Sequence, residues 1–332
     1  MDKDVKTKES PLFWPVRLGG KAGLRFLHVL DETLIPEKVH YIKVKTVSQA
    51  IGVIRQMKTR AFGQFLVVLN TFLLVLSHNQ NLSKKVLLTK LKRTAKDLNN
   101  SRPTFPFSEV TSIVVGWAET AVKNNMELGS FVTENINGYL AGIRVRRLER
   151  VRKIADVIKN GDSILTHCNV SGELAMAAYI CKQQKKDIHF FATETRPYFQ
   201  GAKLTAWELK RMGAQVTLIA DNAIGSVMFD KLVNKVIVGS DRSCANGDFA
   251  NKIGTYQIAV LAQEFGIPFY VLTQPSDKVK RGGDIPIEIR DAKELLNFNK
   301  KKIVSGKVDG FYPGFDVVPH KYITKSIAIN VH

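Results

Sequence analysis

The chain has 332 residues, 45% of them hydrophobic and 24% charged, which leaves room for two domains and a sizeable core and excludes a disordered or fibrous protein. Its net charge of +19 is lopsided: residues 1–160 carry +14 and residues 161–332 carry +5. Such an excess raises a nucleic-acid face, an anionic substrate or an acidic partner, but no zinc spacing, aromatic ribonucleoprotein motif or interleaved stacking strand accompanies it, so a solvated basic surface is expected and nucleic acid is not the partner of choice.

The opening segment, MDKDVKTKES, is charged and lacks the apolar stretch of a secretory leader. Residues 23–46 alternate with period two around a polar turn at Pro36, which predicts two antiparallel strands. From Thr46 the pattern turns helical. Val47, Ala50, Ile51 and Ile54 fall on one helix face, Ala61 to Ser77 is apolar on most sides, and Ser83 to Leu98 is amphipathic and basic. The run Phe65 to Leu76 is broken by Asn70 and Thr71 and is shorter than the ~20 residues of a spanning helix, so no membrane partner is expected and the cytoplasm is the default. A break at Ser101-Arg102-Pro103-Thr104 precedes a helix over about 108–125. A long helix with six basic residues between Arg144 and Lys153 then covers about 133–159.

After Gly161 the rhythm changes to short β-branched runs separated by helices. Strands are expected at 163–166, 187–192, 215–220, 236–239 and 268–273, and helices at 171–184, 201–212, 223–229 and 253–265. Gly213 marks a helix C-terminus. This alternation implies right-handed βαβ units. The fold class is therefore α/β: a Rossmann-like, doubly wound parallel sheet at 160–332, preceded at 1–159 by a smaller domain of helices with a short antiparallel sheet.

The stretch VIVGSDRSCANGDFANKIGTY (236–256) organises this second domain. A buried strand ends at Gly239, Asp241 follows two residues later, and Asn246, Gly247, Asp248, Asn251 and Lys252 crowd the segment before the next helix. Parallel sheets bind ligands at their carboxyl edge, and three further polar clusters follow strands at the same edge: Thr166-His167-Cys168-Asn169, Thr193 to Gln200-Gly201, and Asp221-Asn222. A thiol and a carboxylate delivered there can act as a proton-handling pair, with burial raising both and keeping them protonated. Lysine, arginine and helix N-termini can hold a phosphate. Taken singly each has a plainer account. Cys168 could be a small buried hydrophobe, Asp241 a cap, His167 a packed histidine, and Glu194 with Arg196 an ion pair. Cys168, Cys181 and Cys244, an odd number without close pairs, fit free thiols in a reducing compartment.

The strings ILTHCN (164–169), TETRPYFQGAKLTAWEL (193–209), DNAIGSVM (221–228), 236–256 as quoted, GIPFYV (266–271), IPIEIR (285–290) and FDVVPHKYIT (315–324) resemble the methylthioribose-1-phosphate isomerase family. That family sits in a wider group with ribose-1,5-bisphosphate isomerases and the regulatory subunits of the translation-initiation guanine-nucleotide exchange factor. The resemblance implies Cys168 as catalytic cysteine and Asp241 as acid/base. It implies Gln200, Asn251, Lys252, Arg102 and Arg60 with Ala61 as substrate contacts, together with a homodimer and neither metal nor cofactor. The implied reaction is an aldose–ketose isomerisation of a 5-substituted ribose 1-phosphate, methylthioribose 1-phosphate first, in methionine salvage. The chain departs from the family at its Arg-Gly-Ala-Pro-Ala-Ile-Gly loop, which reads Arg60-Ala61-Phe62-Gly63-Gln64 here, and puts bulk where glycine would let backbone approach a phosphate. That departure keeps open 5-deoxyribose 1-phosphate, ribose 1,5-bisphosphate, or a non-catalytic sensor of sugar phosphates or nucleotides.

Overall fold

The computed structural model describes residues 8–21, 23–274, 278–299 and 301–329; most of the charged opening segment lies outside them. The described chain forms two compact units, Pro11–Val145 and the remainder.

In the first unit, β1 (Val16–Gly19), β2 (Phe26–Leu30) and β3 (Tyr41–Val44) make an antiparallel sheet, with Val16 opposite Val29 and Leu27 opposite Val44. The sequence led to two strands here. The third, β1, is four residues long and runs into Gly19-Gly20, so it reads as a turn. Helices α1 (Val47–Arg55), α2 (Ala61–His78), α3 (Lys84–Asn99), α4 (Phe107–Lys123) and the first part of α5 (Leu128–Val157) complete the unit. The 18 residues of α2 carry no Asp, Glu, Lys or Arg, and by length and composition they could cross a bilayer. Instead 72% of the helix is buried in the protein. Its two polar mid-helix residues turn inward on their own backbone, Asn70 to the Leu66 carbonyl (2.8 Å) and Thr71 to the Val67 carbonyl (2.6 Å), which removes the cost of burying them.

The second unit is built on a six-stranded parallel sheet of β4 (Ser163–Thr166), β5 (His189–Thr193), β6 (Gln215–Ile219), β7 (Lys235–Gly239), β10 (Phe269–Thr273) and β14 (Lys325–Ala328), in the order β6-β5-β4-β7-β10-β14. Counted along the chain this is 3-2-1-4-5-6, the doubly wound Rossmann order. Its inner strands are the β-branched and aromatic runs of the sequence, and Ile164, Leu165, Phe190, Val236, Ile237, Val238 and Val271 are inaccessible to water. Helices α6 (Glu173–Gln183), α7 (Trp207–Arg211), α8 (Ile224–Phe229) and α9 (Thr255–Glu264) connect them. A π-helical segment, Gly201–Ala206, feeds α7, and Gly213 closes it at φ +82°.

This unit departs from the sequence reading at its edge strand β14, which is not among the five strands expected, and again after β7. Residues 246–252, taken as a loop before a helix, include β9 (Phe249–Lys252), which lies between β8 (Arg242–Ser243) and β13 (Phe315–Val318) in a small antiparallel sheet. Strand β13 comes from more than 60 residues further on, beyond a short hairpin of β11 (Asn297–Phe298) and β12 (Lys301–Lys302), and β9 reads Phe-Ala-Asn-Lys, with no apolar alternation to announce it.

Candidate active site

Strands β4 and β7 are neighbours, with Ile164 beside Lys235 and Leu165 beside Val236. Between them the winding of the sheet reverses, so the chain leaves their carboxyl ends in opposite directions and opens a crevice there. Cys168 stands two residues beyond the end of β4, and Asp241 two residues beyond the end of β7. The two exits pass close together. A side chain at Gly239 would come within 2.8 Å of Val170 Cγ1 and 3.9 Å of Asn251 Oδ1, so glycine there is a requirement of that approach.

The Cys168 backbone is left-handed, with φ +62°, and so is Thr195 at φ +62°. Such conformations cost energy in residues other than glycine and persist when the surroundings fix them. Here the surroundings do. The Cys168 amide donates to Thr195 Oγ1 (3.1 Å), and its carbonyl accepts from Thr205 Oγ1 (2.5 Å). The Thr195 and Arg196 amides both donate to the Asp221 carboxylate at 2.7 Å. Asn169 extends the frame to Thr205 (2.9 Å) and Glu208 (2.7 Å). The thiol is half-buried.

His167 is part of the frame. Its Nε2 donates to the Ile253 carbonyl (2.9 Å), which leaves Nδ1 to accept from Thr193 Oγ1 (2.6 Å). Burial pushes its pKa down, so the ring stays neutral, and with both nitrogens engaged it ties β4 to β5 and to the start of α9.

Asp241 does not stand as expected. Its side chain is exposed, because the chain has already left the parallel sheet there and is turning into β8, with its amide bonded to the Ala250 carbonyl (2.9 Å). The desolvation anticipated from a buried strand is therefore absent from this carboxylate. The pair consists of a half-buried thiol and an open acid.

Gln200, Asn251 and Lys252 are all buried. Asn251 donates to Thr255 Oγ1 (3.0 Å) and Lys252 Nζ to the Gly314 carbonyl (3.0 Å). Around the ammonium lie the rings of Phe315 (5.0 Å), Tyr312 (5.9 Å) and Tyr198 (6.0 Å), a setting that holds a cation through its quadrupoles. Among the described residues the Gln200 Oε1 atom and the Tyr312 hydroxyl are buried without a hydrogen-bond partner. Tyr198 accepts from Arg290, which is also paired with Glu288 (2.8 Å) and Glu294 (2.6 Å). Burial, then the Glu294 contact, pushes the Tyr198 phenol up to about 12.

The remaining expected residues belong to the first unit and gather at the start of α2. Arg60 is the extended residue before the helix, and its amide donates to Glu32 Oε1 (3.2 Å), which also accepts from Thr59 Oγ1 (2.5 Å). Burial raises the Glu32 carboxyl against the opposing pull of Thr59 and Arg60. Arg102 reaches Gln64 Oε1 (3.1 Å) and lies over the Phe105 ring, while Gln64 Nε2 holds the Thr59 carbonyl (2.9 Å). Ala61 is the first helical residue. A side chain at Gly63 would fall 1.8 Å from Thr59 Oγ1, so that glycine of the altered loop is needed where it stands. The bulk of Phe62 is absorbed locally, edge-on to Trp14 at 5.7 Å and stacked on Phe65 at 6.2 Å. Two guanidinium groups near the first turn of an 18-residue helix make a place suited to an anion.

Sequence reasoning passed over Tyr198, Tyr312 and Arg290 as parts of this arrangement, while Asp221 was among its polar clusters. Tyr198 and Arg290 lie inside the quoted strings, but Tyr312 stands just ahead of one, before a Pro-Gly pair that reads as a turn.

Fold and site together define a doubly wound α/β protein with its polar residues collected at the switch point of the sheet. More particularly, the chain belongs to the Initiation factor 2 subunit family, whose sequence pattern matches residues 64–328. It is 38% identical over 327 residues to the methylthioribose-1-phosphate isomerase of Carboxydothermus hydrogenoformans, covering 90% of each chain. To the protein of the same name from Desulforudis audaxviator it is 37% identical over 327 residues, covering 91% of this chain and 90% of that one. Among solved structures it is similar to the 5-methylthioribose 1-phosphate isomerase of Pyrococcus horikoshii OT3, with TM-score 0.80, 30% identity and coverage of 98% and 94% of the two chains. It is also similar to the delta subunit of translation initiation factor eIF-2B from A. fulgidus, with TM-score 0.79, 29% identity and coverage of 95% and 94%.

Proposed function

We propose that the protein is an aldose–ketose isomerase that converts methylthioribose 1-phosphate to the corresponding ribulose 1-phosphate, a step of methionine salvage. The observation that carries this reading is the delivery of Cys168 and Asp241 to the two sides of the switch point, on the exits of adjacent strands. The names of the relatives, matched over nine-tenths of the chain, support the substrate.

The anomeric phosphate prevents the sugar ring from opening unaided. Protonation of the ring oxygen breaks its bond to C1, loss of the proton on C2 gives an enol, and protonation at C1 with loss of the 2-hydroxyl proton leaves a ketone at C2. Nothing is gained or lost overall. Asp241 is assigned the acid/base role and Cys168 the second proton-handling role, help worth about two to four powers of ten in rate. Bound substrate would itself exclude water from the open face of Asp241. Gln200, Asn251 and Lys252 are assigned to substrate, and Arg60, Ala61 and Arg102 are assigned to it by the resemblance. We take the active form to be a cytoplasmic homodimer, for which light scattering should give twice the 37.1 kDa of the chain.

The test is turnover of methylthioribose 1-phosphate, 5-deoxyribose 1-phosphate and ribose 1,5-bisphosphate by the wild type, Cys168→Ala and Asp241→Ala. The first compound should be turned over best, and each variant should lose at least about two powers of ten in kcat with unchanged thermal stability. Near-normal kcat in either variant would refute the assignment. A second reading, a sugar-phosphate sensor, draws on Ala61-Phe62 and on the eIF-2B delta neighbour. It requires binding without turnover.

A further inference from the structure

A buried hydroxyl without a partner lowers stability, and proteins rarely keep one unless something else uses it. Among the described residues of the second unit three side-chain atoms are in that condition: Gln200 Oε1, Thr273 Oγ1 and Tyr312 Oη. Gln200 is already assigned to substrate. Tyr312 is 4% exposed, and its position is fixed from its backbone outward: its carbonyl accepts from the Arg290 amide (2.8 Å) and the next residue, Pro313, forms a bridge with Ile289. Its ring is one wall of the box around Lys252 Nζ. Near it lie Tyr198, Arg290 and Glu294, with Arg290 donating to both of the others. Cys168 is near enough for a thiolate there to raise the phenol further. The hydroxyl thus belongs to a ring that walls in the candidate substrate lysine, and among the described residues it has no hydrogen-bond partner.

We propose that Tyr312 is a substrate-contacting residue whose hydroxyl donates a hydrogen bond to a sugar oxygen of the sugar phosphate bound beside Lys252. The inference rests on the isomerase reading and deepens it. Burial first, and then the charges of Tyr198 and Glu294, raise the phenol far above neutral pH, so it remains a donor through the working range. The ring and the hydroxyl have separable tasks. The ring walls in Lys252, and the hydroxyl waits for ligand.

That separation sets the experiment. Tyr312→Phe keeps the ring and deletes the oxygen alone. In the ligand-free protein its thermal midpoint should equal or exceed the wild-type value, because an unpaired polar atom has been removed. Its kcat/KM on methylthioribose 1-phosphate should fall about tenfold or more, the cost of one substrate hydrogen bond left unmade. Calorimetric binding of the same compound to Cys168→Ala and to Cys168→Ala/Tyr312→Phe reads the contact without turnover, and should show the double variant binding several-fold more weakly. Unchanged kcat/KM and binding, with the wild type active, overturn the role of Tyr312 and leave the isomerase reading standing. A lowered midpoint in Tyr312→Phe overturns it as well, since the hydroxyl would then be structural. A wild type that neither turns over nor binds the compound overturns both.

Discussion

At the scale of single residues, the three cysteines differ by what surrounds them. Cys181 lies wholly inside α6, and burial pushes its thiol up to about 11 despite nearby Lys186. Cys244 is raised too, by burial and then by Asp248. Cys168 alone is partly open. Only a thiolate alkylates at useful speed, and at pH 8 a thiol of pKa near 11 is ionised to about one part in a thousand. Brief iodoacetamide treatment of the native protein at pH 8 should therefore modify Cys168 and spare Cys181 and Cys244, as read by peptide mass. Labelling of Cys181 at a comparable rate would contradict the packing described. The sequence could announce Cys168 and Asp241 because both follow β-branched strands at fixed distance. It could not announce that Asp241 would be exposed, since that depends on the chain turning away into β8. Nor could it announce the free hydroxyl of Tyr312, which exists only once β9 and β13 are paired.

At the scale of elements, β4, β5, β6, β7 and β10 of the parallel sheet and the antiparallel β2 and β3 were legible, whereas the parallel β14 and the antiparallel β1, β8, β9 and β13 were not. A strand buried on both faces must be apolar throughout, so β4, β5, β7 and β10 show as runs of Ile, Val, Phe and Leu. Strand β9 is held by β13 and can be polar, with Asn251 and Lys252 buried for reasons other than hydrophobicity. The loop before it is fixed by Asp248, which accepts from the His320 amide (2.9 Å) and the Gly282 amide (3.0 Å), and from Asn246 (2.8 Å). Burial alone would raise this carboxyl, but the hydrogen bonds from Asn246, His320 and Gly282 outweigh it and bring it to about 2. A carboxyl lower in the folded than the unfolded state contributes stability above its unfolded value near 3.8, and loses it as pH falls towards 2. Urea midpoints measured from pH 5 to pH 2.5 should thus fall less steeply in Asp248→Asn than in the wild type, and equal slopes would remove Asp248 from the account. A second tie joins α5, α6 and β10. Glu173 in the first turn of α6 meets Arg147 (2.6 Å) and Arg150 (2.5 Å), and Arg150 also reaches the Thr273 carbonyl (2.9 Å), all of them buried. Burial opposes the charge on Glu173, but the two arginines prevail and its carboxyl stays low. Glu173→Ala would leave two guanidinium groups facing one another in the interior, at a cost of about 3–5 kcal/mol. Equilibrium urea unfolding measures it, and a loss below about 1 kcal/mol would mean that water reaches the arginines.

At the scale of the whole molecule the open issue is the charge of +19, most of it before residue 161. In the first unit many basic groups are already used. Lys58 is paired with Asp31 (3.0 Å) and Lys92 with Glu119 (2.6 Å). Lys84 holds Asn125 (2.8 Å), Lys90 holds Asn79 (2.7 Å), Arg102 holds Gln64, and Arg144 lies over the rings of Phe13 and Trp14. Exposed pairs of this kind contribute little to stability, but they divide the positive field among separate partners. Binding to duplex DNA depends on how many phosphates are neutralised together, and a protein making six to ten such contacts loses about three to five powers of ten in affinity between 50 and 200 mM salt. A dispersed surface makes few contacts at once, so the expected result is weak retention of a fluorescent duplex at 50 mM salt, gone by 150 mM, with a shallow log–log slope. Fluorescence polarisation across that range decides it. A slope of −5 or steeper would reveal a concerted nucleic-acid face and give the basic half a purpose separate from the sugar-phosphate chemistry at the switch point.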